Sequence, residues 1–340
     1  MEAIAIGDLH YDGHMCSLVD RFNRVINSSV QSAIEWAKKR GVANVILLGD
    51  VCQNPRMSYE AQECFMDLVL NNPDMHFYVI LGNHDKISED SSAGHSLQPI
   101  QNLIKRGLIK NVNIYGKPTK TRIDGAPVYF MPWPALKFSK TRLNIAHIEV
   151  RGSKMDSGRV VTKSSFPEDD AVSVIGHLHT PHRIRNAHYT GTLYQTRFGE
   201  RKKKGFHHIQ FNSIDDYVME WIPVEPKYTL VDIVVEGPSD LQRIPDDKHK
   251  LVRLIVQDGA DVDATMWADK TNVVKFSPFK TKEDLVSVLT EGLDNSSSLK
   301  INVREYLKAW LEGRSYDANL TRKVLLTRKR YINGMVRSNK

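Results

Sequence analysis

The chain is poor in cysteine, in long apolar runs and in any leader-like N-terminal pattern. It has 340 residues and three cysteines, Cys16, Cys52 and Cys64. An odd number at wide spacing argues against a disulfide framework and is typical of a reducing cytoplasm. No apolar run approaches the roughly 20 residues that a membrane-spanning helix needs. The N-terminus enters the strand-like segment 3–6 without a basic stretch, so we expect no signal peptide. These features predict a cytoplasmic protein without a membrane partner.

The composition is that of an ordinary globular protein, with 41% hydrophobic and 26% charged residues. The length allows one large domain with appendages or two domains. The net charge of +7 is compatible with a polyanionic partner. A mildly basic protein without such a partner would show the same balance, so charge alone leaves both interpretations open.

The order of predicted elements indicates an α/β layered domain followed by smaller units. Buried strands at 2–7, 45–48 and 77–81 alternate with helices at 16–40, 57–71 and 97–107. Short strands follow one another from residue 111 to 211, which predicts a second, more antiparallel sheet packed on the first. Residues 228–276 are typical of a small α+β unit, and residues 281–332 have helical spacing. The segment 295–298 is a candidate linker.

Polar side chains of a few types stand at the ends of five apolar runs, in most cases just after a glycine. They are Asp8, His10, Asp50, Asn83, His84, Asp85, His147, His177 and His179. In α/β sheets, ligand sites lie beyond the carboxyl ends of strands. In Asp-x-His and His-x-His both side chains point to the same side of an extended segment, so each pair can reach one centre. A lone histidine after an apolar run is more often structural, and only its place in this series makes His147 a candidate.

This mixture of carboxylate, amide and imidazole predicts a metal site. It suits Mn²⁺, Fe²⁺ or Zn²⁺ and suits Ca²⁺ or a single Mg²⁺ poorly. The absence of cysteine from the set argues against structural zinc. The set is larger than one ion needs, and two ions roughly 4 Å apart and bridged by a carboxylate hydrolyse phosphate esters in many enzymes.

The order DxH, GD, GNHD, H, GHxH resembles the calcineurin-like metallophosphoesterases over residues 1 to about 211. The resemblance implies an α/β fold, a four-layer α/β/β/α sandwich with two divalent metal ions between its sheets. Mn²⁺ is the leading candidate, with Mg²⁺, Fe²⁺ or Zn²⁺ as alternatives. The implied ligands of one ion are Asp8, His10, Asp50 and His179. The implied ligands of the other are Asp50, Asn83, His147 and His177. His84 would be the general acid, and Asp85 would orient or tune it.

Within this superfamily the chain is most similar to the SbcD-type DNA repair nucleases. The supporting segments are Ala146 to Val150, Met131-Pro132-Trp133, and residues 189–192 and 198–206. The resemblance implies double-stranded DNA as substrate and a homodimer joined to an SbcC-type, SMC-like ATPase in a heterotetramer. The compact length is typical of a bacteriophage member acting in the host cytoplasm. Two departures are Gln53, where some relatives have histidine, and Gly191-Thr192-Leu193 in place of Gly-Ser-Pro.

The resemblance also divides the chain. Residues 1–225 would form the nuclease domain, 226–278 an α+β capping domain, and 279–340 a helical region that docks the ATPase, ending in a basic amphipathic segment. A basic run, Arg201, Lys202, Lys203 and Lys204, is a candidate for contact with DNA phosphates or, equally, a solvated hairpin turn.

The resulting hypothesis is a metal-dependent DNA nuclease subunit, a double-strand exonuclease with single-strand and hairpin endonuclease activity. It would act in DNA recombination and end processing with the ATPase. The alternatives are a small-molecule phosphodiesterase or phosphatase on the same site, and a non-catalytic regulatory subunit whose metal site is vestigial.

Overall fold

A computed structural model describes residues 1–90, 94–134, 137–155, 158–162, 171–200 and 203–290. These described residues all belong to one unit. Its α-helices are α1 (Phe22–Lys38), α2 (Tyr59–Leu70), α3 (Gln98–Lys105) and α4 (Lys282–Thr290). Its strands are β1 (Glu2–Ile6), β2 (Asn44–Leu47), β3 (His76–Ile80), β4 (Val112–Tyr115), β5 (Thr119–Ile123), β6 (Ala126–Met131), β7 (Leu143–His147), β8 (Ser173–Gly176), β9 (His182–Ile184), β10 (Ala187–Tyr189), β11 (Lys204–Ser213), β12 (Asp216–Val224), β13 (Thr229–Val235), β14 (Lys250–Gln257) and β15 (Val273–Phe279).

The first sheet has the strand order β12-β11-β1-β2-β3-β4. Strands β1 to β4 are parallel, and β11 pairs antiparallel with β1. Helix α1 buries Ile26, Val30 and Ile34 at helical spacing, so one of its faces packs on the core. The predicted strand at 111–116 corresponds to β4. It belongs to this sheet rather than to the second one, because α3 returns the chain to lie parallel to β3.

The second sheet, of order β5-β6-β7-β8-β10-β9, is mostly parallel. Only the edge strands β5 and β9 pair antiparallel with their neighbours. The expectation of a more antiparallel sheet is therefore wrong. Parallel pairing requires each strand to begin at the same end of the sheet as the strand before it. The connecting segments 132–142 and 148–172 are long enough for this. The central strands β7 and β8 are buried along their whole length, as in parallel sheets covered on both faces.

The two sheets face each other across a buried apolar layer. Ala5 and Ile46 from the first sheet meet Val128, Phe130 and Val174 from the second in this layer. The other face of the second sheet is covered by loop residues such as Phe138 and Met155. The described residues contain no α-helix between β5 and β12, so the helical fourth layer expected there is not among the described elements. The chain nevertheless has the predicted α/β architecture of stacked, parallel-rich sheets.

A third sheet of three parallel strands, β13-β14-β15, follows the main sandwich. Leu230 and Leu251 from it pack into the core beneath the first sheet. The predicted boundary at residue 226 falls between β12 and β13. Strand β12 was not predicted, because it is an edge strand with no fully buried residue and contains Pro223.

The candidate linker at 295–298 and the basic C-terminal segment lie outside the described residues. Of the described helices, none is both long and apolar enough to cross a membrane.

Candidate metal centre

The predicted site residues meet where the parallel strands of both sheets end. In the first sheet, β1 leads to Asp8 and His10, β2 leads to Asp50, and β3 leads to Asn83 and His84. In the second sheet, β7 ends in His147, and β8 leads to His177 and His179. Because these strands run parallel within each sheet, their carboxyl ends share one edge. Five segments distant in sequence thus contribute side chains to one cluster.

The backbone around the cluster is tightly turned. Asp8, His10, Asp50 and His177 all have positive φ angles, at 29°, 48°, 47° and 80°. Such left-handed conformations cost free energy in residues other than glycine and concentrate at functional sites. Gly82 lies so close to Asp50 that an added Cβ would stand 2.1 Å from Oδ1 of that carboxylate. Glycine at this strand exit therefore lets two strands bring their ligands together.

The cluster divides into two groups of metal-ligating side chains. Asp8, His10 and His179 form one, and Asp50, His147 and His177 form the other. Within each group the ligand atoms lie within 4.8 Å of one another. Asn83 joins the second group, with its Oδ1 atom 3.0 Å from Nε2 of His147. The division matches the two ligand sets implied by the family resemblance, and the assignment of each residue as a ligand stays a prediction.

Asp50 stands between the two groups. Its Oδ2 atom is 3.3 Å from Nε2 of His147 in the second group and 3.9 Å from Nε2 of His10 in the first. A carboxylate has two oxygens and several lone pairs, so it can bind two ions at once. Asp50 therefore has the position of a bridging ligand.

Two imidazoles are held in the tautomer that metal binding needs. Nδ1 of His147 is 2.7 Å from the carbonyl oxygen of Leu48, and Nδ1 of His179 is 3.0 Å from Oε1 of Glu200. Nδ1 of each ring donates to one of these oxygens, so Nε2 is the nitrogen directed into the cluster. Nε2 of His10 lies 3.2 Å from Nε2 of His179. Two imidazole nitrogens turned toward each other in a buried space fit a shared cation.

The electrostatics of the buried cluster also fit a cation. Burial raises the pKa of Asp8 to about 6, with nearby histidines opposing the shift and Asp50 reinforcing it. Burial lowers the pKa of His10 well below its usual value. Burial also disfavours the charged form of His147, but the Asp50 carboxylate outweighs it and raises that pKa to about 9. Carboxylates packed this closely without ions repel one another, and divalent cations would relieve the repulsion.

A buried ion pair between Glu200 and Lys204 lies behind His179, and the sequence did not reveal it as part of the site. Glu200 accepts hydrogen bonds from the backbone and hydroxyl of Thr196 and from Nζ of Lys204, at 2.8 Å for the last. Lys204 also donates to the carbonyl of His179 at 3.2 Å. Two charged residues four apart after a metal-ligand motif were visible in the sequence, but their burial was not.

This ion pair corrects one predicted DNA contact. Lys204 is 1% exposed, so its ammonium group is used inside the protein and does not reach DNA phosphate. Lys203 is exposed, and Arg201 and Lys202 lie outside the described residues. A DNA-binding role for these three residues stays a prediction.

His84 stands at the open side of the cluster. Its side chain is 24% exposed, and its Nε2 atom lies 4.0 Å from Oδ2 of Asp50. Its Nδ1 atom is 2.9 Å from the carbonyl oxygen of Gln53. Its backbone N–H donates to Oδ1 of Asp50 at 2.8 Å. The ring is thus oriented by Gln53, with Nε2 toward the predicted metal ions.

Asp85 does not orient His84, contrary to expectation. Its carboxylate is fully buried and accepts hydrogen bonds from the backbone N–H groups of Val51, Cys52 and Gly82 and from the hydroxyl of Ser96. These donors come from the loops after β2 and β3. Asp85 therefore supports the site by joining the two loops that carry Asp50 and Asn83.

Comparison with known proteins agrees with this geometry. The model of the calcineurin-like phosphoesterase family matches residues 1–197. The chain is also 26% identical over 226 residues to "Exonuclease subunit 1" of Enterobacteria phage T4. That match covers 61% of this chain and 63% of the phage T4 protein. The resemblance first seen in the motifs is therefore confirmed, and the chain belongs to the calcineurin-like phosphoesterase family.

Proposed function

We propose that this protein is the metal-dependent nuclease subunit of a DNA-processing complex and hydrolyses phosphodiester bonds in double-stranded DNA. The observation that carries the proposal is the pair of ligand groups that share Asp50, with His84 beside them. Support for DNA as substrate comes from the similarity to a phage protein named as an exonuclease subunit.

In this mechanism the protein's side chains bind the metal ions, orient His84 and donate a proton to the leaving group. The first group would hold one divalent ion, and the second group with Asn83 would hold the other, Mn²⁺ being the leading candidate. When bound, such a pair stabilises charge on phosphoryl oxygens and makes water a stronger nucleophile at neutral pH. His84 donates the proton on Nε2 to the departing sugar oxygen, because Gln53 holds the opposite ring nitrogen.

The partner is proposed to be an SbcC-type ATPase, docked through residues 279–340, with two copies of each chain in the assembly. The word "subunit" in the relative's name supports a partner of some kind. Co-purification of a tagged full-length chain with an ATPase from the native source would test this. A monodisperse chain that captures no ATPase and whose nuclease activity is indifferent to ATP would contradict it.

The activity test is Mn²⁺-dependent release of nucleotides from linear duplex DNA. We expect His84→Ala to lower kcat by about 10²- to 10⁴-fold, the usual contribution of general acid catalysis. The matched control is His76→Ala, because His76 is exposed at the start of β3, at the opposite edge of the sheet. Full activity of His84→Ala would contradict the mechanism. Turnover of small phosphodiesters with none of DNA would favour the small-molecule phosphodiesterase instead.

A further inference from the structure

Arg197, beside the candidate metal centre, has no hydrogen-bond partner among the residues that the structure describes. Its side chain is only 26% exposed. Among the described residues its one charged contact is Nε to Oε1 of Glu200, at 3.7 Å, which is too long for a hydrogen bond. A guanidinium carries five N–H donors. Because the side chain is partly exposed, these donors are accessible to a ligand from solution.

The charge of Arg197 is not needed to balance Glu200. Lys204 already pairs with that carboxylate at 2.8 Å, and His179 adds a hydrogen bond at 3.0 Å. Arg197 is therefore a surplus positive charge in this part of the protein. With two divalent ions bound nearby, the surrounding field would be more positive still, so the ligand of Arg197 is expected to be an anion.

The loop that carries Arg197 is held in place on both sides of it. The Tyr194 hydroxyl donates to the carbonyl of Leu9, between the first two predicted metal ligands, at 2.6 Å. The side chain of Gln195 donates to the carbonyl of Glu200 at 3.1 Å and accepts from the N–H of Leu230 at 2.9 Å. Arg197 is thus presented from an anchored loop, which lowers the entropic cost of binding a ligand.

The position of Arg197 relative to the metal ligands identifies the kind of anion. Oε1 of Glu200 lies 3.7 Å from Nε of Arg197 and 3.0 Å from Nδ1 of His179, so one carboxylate separates Arg197 from the first ligand group. Glu200 contacts the ring nitrogen of His179 that is opposite Nε2, so Arg197 stands behind this ligand rather than among the ligands. An anion at Arg197 would lie beside the reacting phosphate rather than in its place.

We propose that Arg197 binds a phosphate of the DNA strand adjacent to the phosphate that is cleaved. The planar guanidinium fork matches two phosphate oxygens. This inference rests on the proposed nuclease function and adds a residue that selects polynucleotides over small phosphodiesters. The competing explanation is that Arg197 merely helps to hold Glu200 in place.

The test compares Arg197→Gln and Arg197→Lys with the wild type on two substrates in Mn²⁺. One is linear duplex DNA, and the other is bis(p-nitrophenyl) phosphate, which has no neighbouring phosphate. We expect Arg197→Gln to lower kcat/KM on DNA about tenfold more than on the small ester, the lower end of what one charged phosphate contact contributes. The slope of log(kcat/KM) on DNA against log salt should become shallower by about one. Arg197→Lys should retain the slope.

Calorimetric titration with Mn²⁺ separates the two explanations. If Arg197→Gln loses kcat/KM equally on both substrates and binds Mn²⁺ more weakly, Arg197 only holds Glu200 in place and the proposal is overturned. Unchanged kcat/KM on both substrates would also overturn it. The control is Arg40→Gln, because Arg40 stacks on Trp36 at the far end of α1.

Failure of the nuclease proposal gives a different result. If the wild type hydrolyses the small ester but not DNA, duplex DNA is added as an inhibitor of ester hydrolysis. Inhibition that is weakened about tenfold by Arg197→Gln keeps Arg197 as a phosphate-binding residue. Inhibition that the variant leaves unchanged, or no inhibition of the wild type, overturns it.

Discussion

Oε1 of Glu200 lies 3.0 Å from Nδ1 of His179, and this buried contact joins the loop before β11 to the loop after β8. It fixes which nitrogen of His179 faces the metal centre. Carboxylates in this position raise the basicity of a ligating imidazole and orient its ring.

Replacing Glu200 by glutamine should therefore weaken metal binding. An amide keeps the shape but removes the charge that favours a proton on Nδ1. We expect about a 10- to 100-fold loss of Mn²⁺ affinity for Glu200→Gln, measured by calorimetry. Glu220→Gln on the exposed strand β12 is the control. Wild-type affinity in Glu200→Gln would show that His179 needs no such support.

Lys204 should matter for stability rather than for DNA binding. Lys204→Met leaves the buried carboxylate of Glu200 without its ammonium partner, and breaking a buried ion pair costs about 3–5 kcal/mol. Urea unfolding should show this loss, with Lys203→Met, an exposed neighbour, near the wild type. In the double variant with Glu200→Gln the loss should be smaller than the sum of the two single losses, because the residues share one interaction. Additive losses would contradict the coupling.

Asp85 should act as a structural link between two loops. Asp85→Ala leaves three buried backbone N–H groups without an acceptor, and each unsatisfied donor costs about 1–3 kcal/mol. We expect a loss of about 3 kcal/mol or more in the free energy of unfolding, whereas Asp215→Ala in an exposed turn should cost little. In the folded fraction, the pH dependence of kcat should keep its shape, since Asp85 does not touch His84. A shifted pH profile with unchanged stability would restore the direct role.

Two histidines between the sheets should make the protein sensitive to acid. Burial lowers the pKa of His188 to about 4, with Arg183 adding to the shift, and lowers that of His207 to about 3. In the unfolded chain histidine titrates near pH 6.5, so below that pH the unfolded state binds more protons. The free energy of unfolding therefore keeps the full contribution of these neutral histidines above pH 6.5. It loses that contribution as the pH falls toward 4.

The variant His188→Gln removes one of these two titrating side chains. The slope of unfolding free energy against pH between 6.5 and 4 should decrease by up to about 1.4 kcal/mol per pH unit, the value for one proton. Urea unfolding at a series of pH values measures it, with the exposed His76→Gln as reference. A slope equal to that of the wild type would mean that His188 does not stay neutral in the folded protein.

Much of the candidate metal centre follows from local sequence, because each predicted ligand is placed by the strand before it. The apolar run Val79 to Leu81 is buried at the end of β3, and Gly82 follows it where a side chain would collide with Asp50. The ligand types and their order along the chain then indicate a dimetal phosphoesterase before any contact is known. The family match agrees with that interpretation.

Sheet organisation was less predictable, because strand pairing depends on where the chain returns. The central strands β7 and β8 are buried along their whole length, and such a strand has the same composition whether its neighbour is parallel or antiparallel. Edge strand β12 has no fully buried residue, only partly buried ones such as Tyr217 and Met219, and contains Pro223, so its pattern was weak.

The sequence by itself determined the candidate ligand set, because the identity and spacing of Asp8, His10, Asp50, Asn83, His147, His177 and His179 are local properties of five strand ends. Only the tertiary structure decided what the charged residues behind them do. Lys204 and Asp85 have charges typical of surface or catalytic groups, yet one neutralises Glu200 and the other links two loops. The reason is physical. Burial and partners far apart in sequence set the role of a charged side chain, and neither is encoded in its neighbours along the chain.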